Sequence, residues 1–346
     1  MKRIIIYSIC LVVFIFFVQG KSRAQKIDTI YHVNGNKLTG DFKKMAYGVV
    51  TWKMDGMGTI NFEEVKINKV QSIKLFEVKT KNGVLYFGSL DTTRFDRVIK
   101  VVSPEDTFLV NFSDIVEIYP LKNSFWLRTS GKISLGFNYS KGSEVGTITT
   151  SGNAEYRKRK SYFNLIFDDN NTFQGDSLTS SKTDVSFAWQ RLFTEKWSGE
   201  VSVKASQNTS LGSKLKLEMN IIGIHDISYN SWNRLYAGAG LNSSRETPYN
   251  NAEITNDLAG VFSVVWKVYK YTDPKLWVDA NINFLPYLTS NKRYLVSMNL
   301  NPQINLVNDD FKIGLSFYYN YDNKPPEGAT AKTDYGFNLQ LSYKFH

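Results

Sequence analysis

Residues able to do acid–base or metal chemistry are few and scattered. Histidine occurs only at His32, His225 and His346, in widely separated segments, a spacing that gives no metal set. The single cysteine, Cys10, lies in an apolar run near the N-terminus; once that run is removed there is no thiolate ligand, thiol nucleophile or disulfide. A membrane hydrolase needs a serine beside a histidine. His225, between Ile224 and Asp226, is the one candidate, and an interfacial histidine is its plainer reading. Gly238-Ala239-Gly240 sits inside a strand-like stretch, so it is no nucleotide loop; small residues there let a strand pack or curve. No catalytic residue, cofactor site or metal site is therefore assigned. A different set carries charge at the polar positions of alternating segments: Glu155, Arg157, Asp168, Asp184, Lys204, Lys216, Glu218, Asp279, Lys312 and Lys344. Side chains that keep their charge must be hydrated or paired. The set reads either as a cross-strand salt-bridge lattice or as the lining of a water-filled path.

The elements that position these residues are strands. From Asp334 to Phe345 an apolar or aromatic residue stands at every odd position and a small or polar one at every even position, giving one greasy and one wet face. Period two recurs upstream, predicting twelve strands near 126–140, 146–157, 161–170, 183–193, 197–207, 214–226, 234–244, 256–270, 276–288, 293–306, 311–321 and 334–345. Segments of about ten residues in an even number suit a transmembrane β-barrel. The links support this reading over a soluble sandwich: Asp168 to Lys182, Asn242 to Thr255 and Asp322 to Thr333 read as long outer loops, and Lys158 to Lys160, Thr194 to Lys196 and Asn308 to Asp310 as tight turns. By parity Ile133, Leu135, Phe137, Tyr139, Leu258, Phe262, Val264, Trp266, Val268, Ile313, Leu315, Phe317 and Tyr319 face lipid. Trp126, Trp197, Tyr294, Tyr335 and Tyr343 fall near strand ends, where an aromatic girdle belongs. The closing strand is expected to pair with the first near Ser134 and Gly136, removing both edges.

The N-terminus reads as an export signal. Met1-Lys2-Arg3 is basic, Ile4 to Val18 is apolar and Ser22-Arg23-Ala24 offers small residues for cleavage. That run is short for a membrane helix of about 20 residues. Lys2, Arg3, Lys21 and Arg23 leave with it and no acid does, so the formal charge falls from +10 to +6; with no sustained basic stripe, a nucleic-acid partner is not expected. The exception, Arg157-Lys158-Arg159-Lys160, is either a solvated turn or a contact for anionic headgroups or a periplasmic partner. Before the barrel, Asn34-Gly35 with Gly40 recurs as Asn82-Gly83 with Gly88, and the run from Val65 to Ile73 is matched here with that from Leu109 to Ile118. Two copies of a small SH3- or Sm-like β-unit are expected, with hairpin turns at the Asn-Gly pairs, packed together because one copy is too small to bury much core. The divisions are 1–24 signal peptide, 25–122 periplasmic module and 123–346 barrel.

The segment from Asn34 to Gly40 and the Tyr/Asn-rich barrel with its alternating last strand resemble the salt-induced outer membrane protein family, domain of unknown function 481, over roughly Phe125 to His346. The resemblance implies a Gram-negative outer-membrane barrel without an established biochemical role and supplies no catalytic residues. Three readings follow: a non-enzymatic structural or accessory subunit of the envelope, contacting a partner through residues 26–121; a narrow channel for small polar or charged solutes; and, third, a hydrolase. Outer-membrane lipid and the barrel assembly machinery are the implied partners of the barrel.

Overall fold

The computed structural model describes residues 28–343 except 55, 122–124, 176, 210–212, 250–252, 272–273, 290–291, 307–310 and 325–331. The expected signal peptide and Lys344 lie outside the described residues. All the architecture is β, apart from two 3₁₀ turns and one helical turn, α1 (Phe125–Arg128).

The first part holds β1 (Asp28–His32), β2 (Lys37–Ala46), β3 (Val49–Met54), β4 (Gly58–Glu63), β5 (Ile67–Thr80), β6 (Leu85–Asp91), β7 (Val98–Val102), β8 (Thr107–Asn111) and β9 (Ile115–Pro120). They form one nine-stranded sheet in the order β4-β3-β2-β1-β5-β6-β7-β8, with β9 on β2 and β5. The same succession occurs twice: four strands, a 3₁₀ turn (Glu64–Lys66, then Phe112–Asp114) and a strand returning to the first. In the first copy Thr29 on β1 pairs with Gln71 on β5; in the second, Val78 on β5 pairs with Ile118 on β9. The β5 ladder with β6 shifts register between Ser72 and Phe76, so this long strand closes one copy and opens the next. Gly35 and Gly83 take φ +87° and +86°, the left-handed backbone an Asn-Gly turn requires. The structure corrects one match: the strands after the 3₁₀ turns begin at Ile67 and Ile115, the same offset as Gly35 to Gly83, so Val65 aligns with Ser113 and not with Leu109. Loose β-branched similarity hid the slip, because period two looks alike at several offsets.

The two copies share one core. Ile30, Phe42, Trp52, Phe76, Ile115 and Ile118 are among its buried members, and Phe42 meets Trp52 and Phe76 edge-on at 6.2 and 5.5 Å between ring centroids. Asp28, fully buried, accepts hydrogen bonds from Phe42 N at 2.7 Å, Ser72 Oγ at 2.5 Å and Lys74 Nζ at 2.7 Å. Its charge is thereby fully coordinated, and β1, β2 and β5 are tied at one point.

The second part is an antiparallel meander of twelve strands in sequence order: β10 (Thr129–Ser140), β11 (Val145–Lys158), β12 (Ser161–Gln174), β13 (Ser177–Leu192), β14 (Trp197–Asn208), β15 (Ser213–Tyr229), β16 (Asn233–Pro248), β17 (Thr255–Lys270), β18 (Lys275–Pro286), β19 (Tyr294–Leu306), β20 (Phe311–Asp322) and β21 (Thr333–Tyr343). Register aligns Leu165, Phe187, Val203 and Met219 across four strands, all exposed, on one face. The other face aligns Ser186, Lys204, Glu218 and Ser244. Residues of β10 through β16 on that polar face meet around one cavity, so the sheet curls polar side inward like a barrel wall.

Three expectations change. Residues 125–128 form the helical turn α1, so the first strand starts at Thr129. The long loop from Asp168 to Lys182 is mostly ladder: β12 and β13 continue through polar pairs such as Asp169 with Thr183 and Asn171 with Ser181, and Thr183 Oγ1 donates to Asp169 at 2.6 Å. Polar residues extend a strand when its neighbour supplies hydrogen bonds, so composition mistook an arm of sheet for a loop. Among the described residues no ladder joins β21 to β10, near Ser134 and Gly136 or elsewhere; Leu135 and Phe337 are 75% exposed at the two edges. Sequential hairpins fix each strand's neighbour but not the total curl that brings the first within 4.7–4.9 Å of the last.

Candidate functional site

The two parts meet at the end of the wall that carries the short turns. The β5–β6 turn sets Gly83 against the turn between β13 and β14, where a Cβ on Gly83 would stand 2.1 Å from the Glu195 carbonyl oxygen; only glycine permits this approach. Tyr47, in the β2–β3 turn, packs edge-on against Tyr269 at 4.7 Å. On the far side Lys275 Nζ reaches Glu63 at 3.7 Å.

At the centre lies Arg157. Alternation along β11 turns it to the polar face, where its Nη2 donates to Glu77 Oε1 at 3.1 Å and lies 3.5 Å from Glu117 Oε2. Its guanidinium sits 3.5 Å from the Tyr119 ring centroid. Beside it Lys79 Nζ is 3.6 Å from Asp226, and Arg234 Nε donates to the same carboxylate at 2.8 Å. Lys79 and Arg234 take positions over the Tyr229 ring, and Arg159 lies 3.8 Å from the Phe87 centroid. Glu77 and Asp226 are nearly inaccessible, at 6% side-chain exposure each. Three cations thus oppose three carboxylates across a desolvated interface, where removing one partner costs far more than at a surface. Burial alone would raise the Glu117 carboxyl, but the charges of Arg157, Lys79 and Arg234 hold it below the ordinary carboxylate range. Burial, reinforced by Glu117, pushes the Tyr119 phenol far up, keeping it neutral.

A cavity of about 570 Å³ opens at this junction. A second, of about 530 Å³, lies between β3–β4 and β18–β20 and includes Lys312 and Lys275 in its lining.

The ten charged positions divide as follows. Arg157 and Glu155 line the first cavity. Asp184 pairs with Lys204 at 3.0 Å and Lys216 with Glu218 at 2.9 Å. Asp279 pairs at 3.5 Å with Lys267, which parity also turns inward. Asp168 is exposed on β12, Lys312 stands apart at the second cavity, and Lys344 is outside the described residues. Sequence reasoning missed Arg234 and Lys79 and gave Asp226 no part in pairing; the alternation of β16 was a signal that could have turned Arg234 inward, but nothing in the chain foretells that β5 docks opposite it. The basic run Arg157–Lys160 touches this chain's own first part, through Arg157 and Arg159. His225 packs its ring on Trp197 at 4.4 Å, and among the described residues its buried Nδ1 has no hydrogen-bond partner.

The outer face carries aromatics in two groups. Phe125, Tyr156, Phe163 and Trp189 run in contact near the turn end, with centroid spacings of 5.0, 5.7 and 6.2 Å. Phe284, Tyr294 and Tyr321 follow one another at 5.9 and 5.8 Å towards the loop end. Among the expected girdle residues Trp197 and Tyr294 take part in such contacts. Of the expected lipid-facing residues, Leu135, Phe262 and Trp266 are exposed at 75%, 53% and 45%, whereas Val268 is 6% exposed.

Residues 133–345 match the family described as "Protein of unknown function, DUF481". The chain belongs to this family. The match covers the twelve-stranded wall of the DUF481 chain and leaves β1–β9 outside it. A search of curated proteins found no match. Among solved structures, "Bacterial polysaccharide outer membrane secretin" is similar at 12% identity and TM-score 0.37, over 80% of this chain and 100% of that one.

Proposed function

We propose that this DUF481 protein is a non-enzymatic integral outer-membrane β-barrel, a structural or accessory subunit of a Gram-negative envelope, whose residues 25–122 form a periplasmic module of two SH3- or Sm-like repeats seated on the barrel mouth. The export signal at 1–24 directs it there. The observation that carries the reading is the docking of the module on the short-turn end through buried ion pairs, because short turns face the periplasm in outer-membrane barrels. The apolar outer face bounded by two aromatic groups supports membrane insertion, which the barrel assembly machinery would perform. In the bilayer β21 pairs with β10, since a lipid-exposed edge leaves backbone groups without partners at several kcal/mol each. Partners in the envelope would meet the module's free side.

Zero-length carbodiimide coupling of protein in native outer membranes, followed by mass spectrometry, tests the docking: a Glu63–Lys275 cross-link is expected, and its absence while other carboxylate–lysine pairs couple refutes the seated module. A protease added outside intact cells should leave residues 28–120 uncut.

The second reading is a narrow channel for small polar or charged solutes. It is favoured by the two cavities at the mouth, and opposed by the pairing of Lys204 and Asp279 within the wall. A planar bilayer showing conductance that shifts on Lys204→Gln or Asp279→Asn would establish it; a silent bilayer leaves the accessory role.

A further inference from the structure

Across the docked interface module charges meet opposite charges on the wall: Glu77 and Glu117 face Arg157, Lys79 faces Asp226, and Glu63 faces Lys275. One sector breaks this rule. Lys44 from β2, Lys158 at the end of β11 and Lys160 from the β11–β12 turn line the same cavity. All three are exposed, and among the described residues none makes an ion pair. Around the whole cavity four carboxylates, Glu77, Glu117, Glu155 and Asp226, stand against twice as many lysines and arginines. The carboxylates Glu77, Glu117 and Asp226 are already engaged by Arg157, Lys79 and Arg234, so the excess lies with the rim lysines.

Like charges contributed by two separately folded parts oppose docking. A multivalent anion held between them reverses the sign and becomes a bridge. The chamber, at about 570 Å³, has the size of a small-molecule site. Two of its four tyrosine rings are covered, Tyr119 by Arg157 and Tyr229 by Lys79 and Arg234. The unpaired lysines are what the chamber presents in excess, so recognition would be by charge. We propose that this chamber binds a compact phosphate-bearing anion, gripped by Lys44 from the module and by Lys158 and Lys160 from the barrel, and that the bound anion strengthens the seating of the module. The exposure of the three lysines gives the anion a route in from solvent.

The inference rests on the seated module, so both are measured in one preparation. Full-length protein in a zwitterionic detergent at low ionic strength is titrated calorimetrically with pyrophosphate and, separately, with dioctanoyl phosphatidic acid. Saturable single-site binding is expected, weakened at least tenfold in the Lys44→Gln/Lys158→Gln/Lys160→Gln variant and unchanged in Lys141→Gln/Lys292→Gln at the loop end. Saturation by either probe supports a phosphate site: pyrophosphate alone marks a soluble solute, the lipid alone a headgroup. Absence of saturable binding, or equal affinity in the triple variant, overturns it. The Glu63–Lys275 cross-link, whose partners the variants leave intact, separates the failures: cross-link without binding removes only the anion site, and loss of both removes the seated module as well.

Discussion

Arg157 is the side chain on which the two parts of the chain converge, and its replacement should show most clearly what docking is worth. Arg157→Met leaves Glu77 and Glu117 facing each other without their cation, a loss of about 3–5 kcal/mol when one member of a buried set is removed. The expected result is release of residues 28–120 to periplasmic protease and loss of the Glu63–Lys275 cross-link. Restoring neutrality with Glu77→Gln and Glu117→Gln should recover part of the docking, because the cost lies in the uncompensated charges. Acid should act through Glu117 in the same direction. Its carboxyl is held below the ordinary carboxylate range by the cations around it, so its contribution is complete above that range and lost as pH falls through the lower docked-state value. Docking that strengthens as pH falls below the ordinary carboxylate range, read by protease access to residues 28–120, would contradict this.

Strands carry their own consequences. Gly240 on β16 faces the polar side, and a Cβ there would lie 2.0 Å from the Ile221 carbonyl oxygen on β15. Gly240→Val therefore forces the β15–β16 ladder apart, and a drop in melting temperature with reduced membrane recovery is expected, whereas Gly142→Ala, with nothing within 4 Å, should be neutral. Across the seam the absence of cysteine beyond Cys10 helps: Ser134→Cys combined with Asn338→Cys or Gln340→Cys should form a disulfide in the outer membrane if β10 and β21 pair there. Failure at both positions would leave the wall open in the bilayer. Several strands exceed the roughly 9–11 residues a crossing needs, β13 with 16 and β15 with 17 residues; on the proposed membrane reading their loop-side ends would stand outside the hydrocarbon and tolerate substitution, whereas Asp226 and Tyr229 at the other end of β15 belong to the docked interface.

At the scale of the molecule, the proposed seating of the module over the barrel mouth would limit what can pass. Deletion of residues 28–120 should raise conductance in planar bilayers if the seated module is the restriction, and leave the bilayer silent if paired charges within the wall close the bore. The first outcome would make the module a plug, and the second an adaptor.

Alternation of apolar and polar residues was enough to give the all-β class and the number of wall strands, because a strand's period of two is a local property of the backbone. The two Asn-Gly pairs likewise marked two turns, since positive φ is demanded within the turn itself. What the sequence left open all depends on parts distant along the chain. Polar arms became ladder only because a neighbour paired with them. Arg157 acquired its carboxylates and Asp226 its lysine only when β5 and β9 settled on the mouth, and the unpaired lysines gained meaning only from the carboxylates that were not there. Charge pairing falls off over a few ångströms and ignores separation in sequence, so it is decided by docking, and docking is settled by the tertiary structure alone.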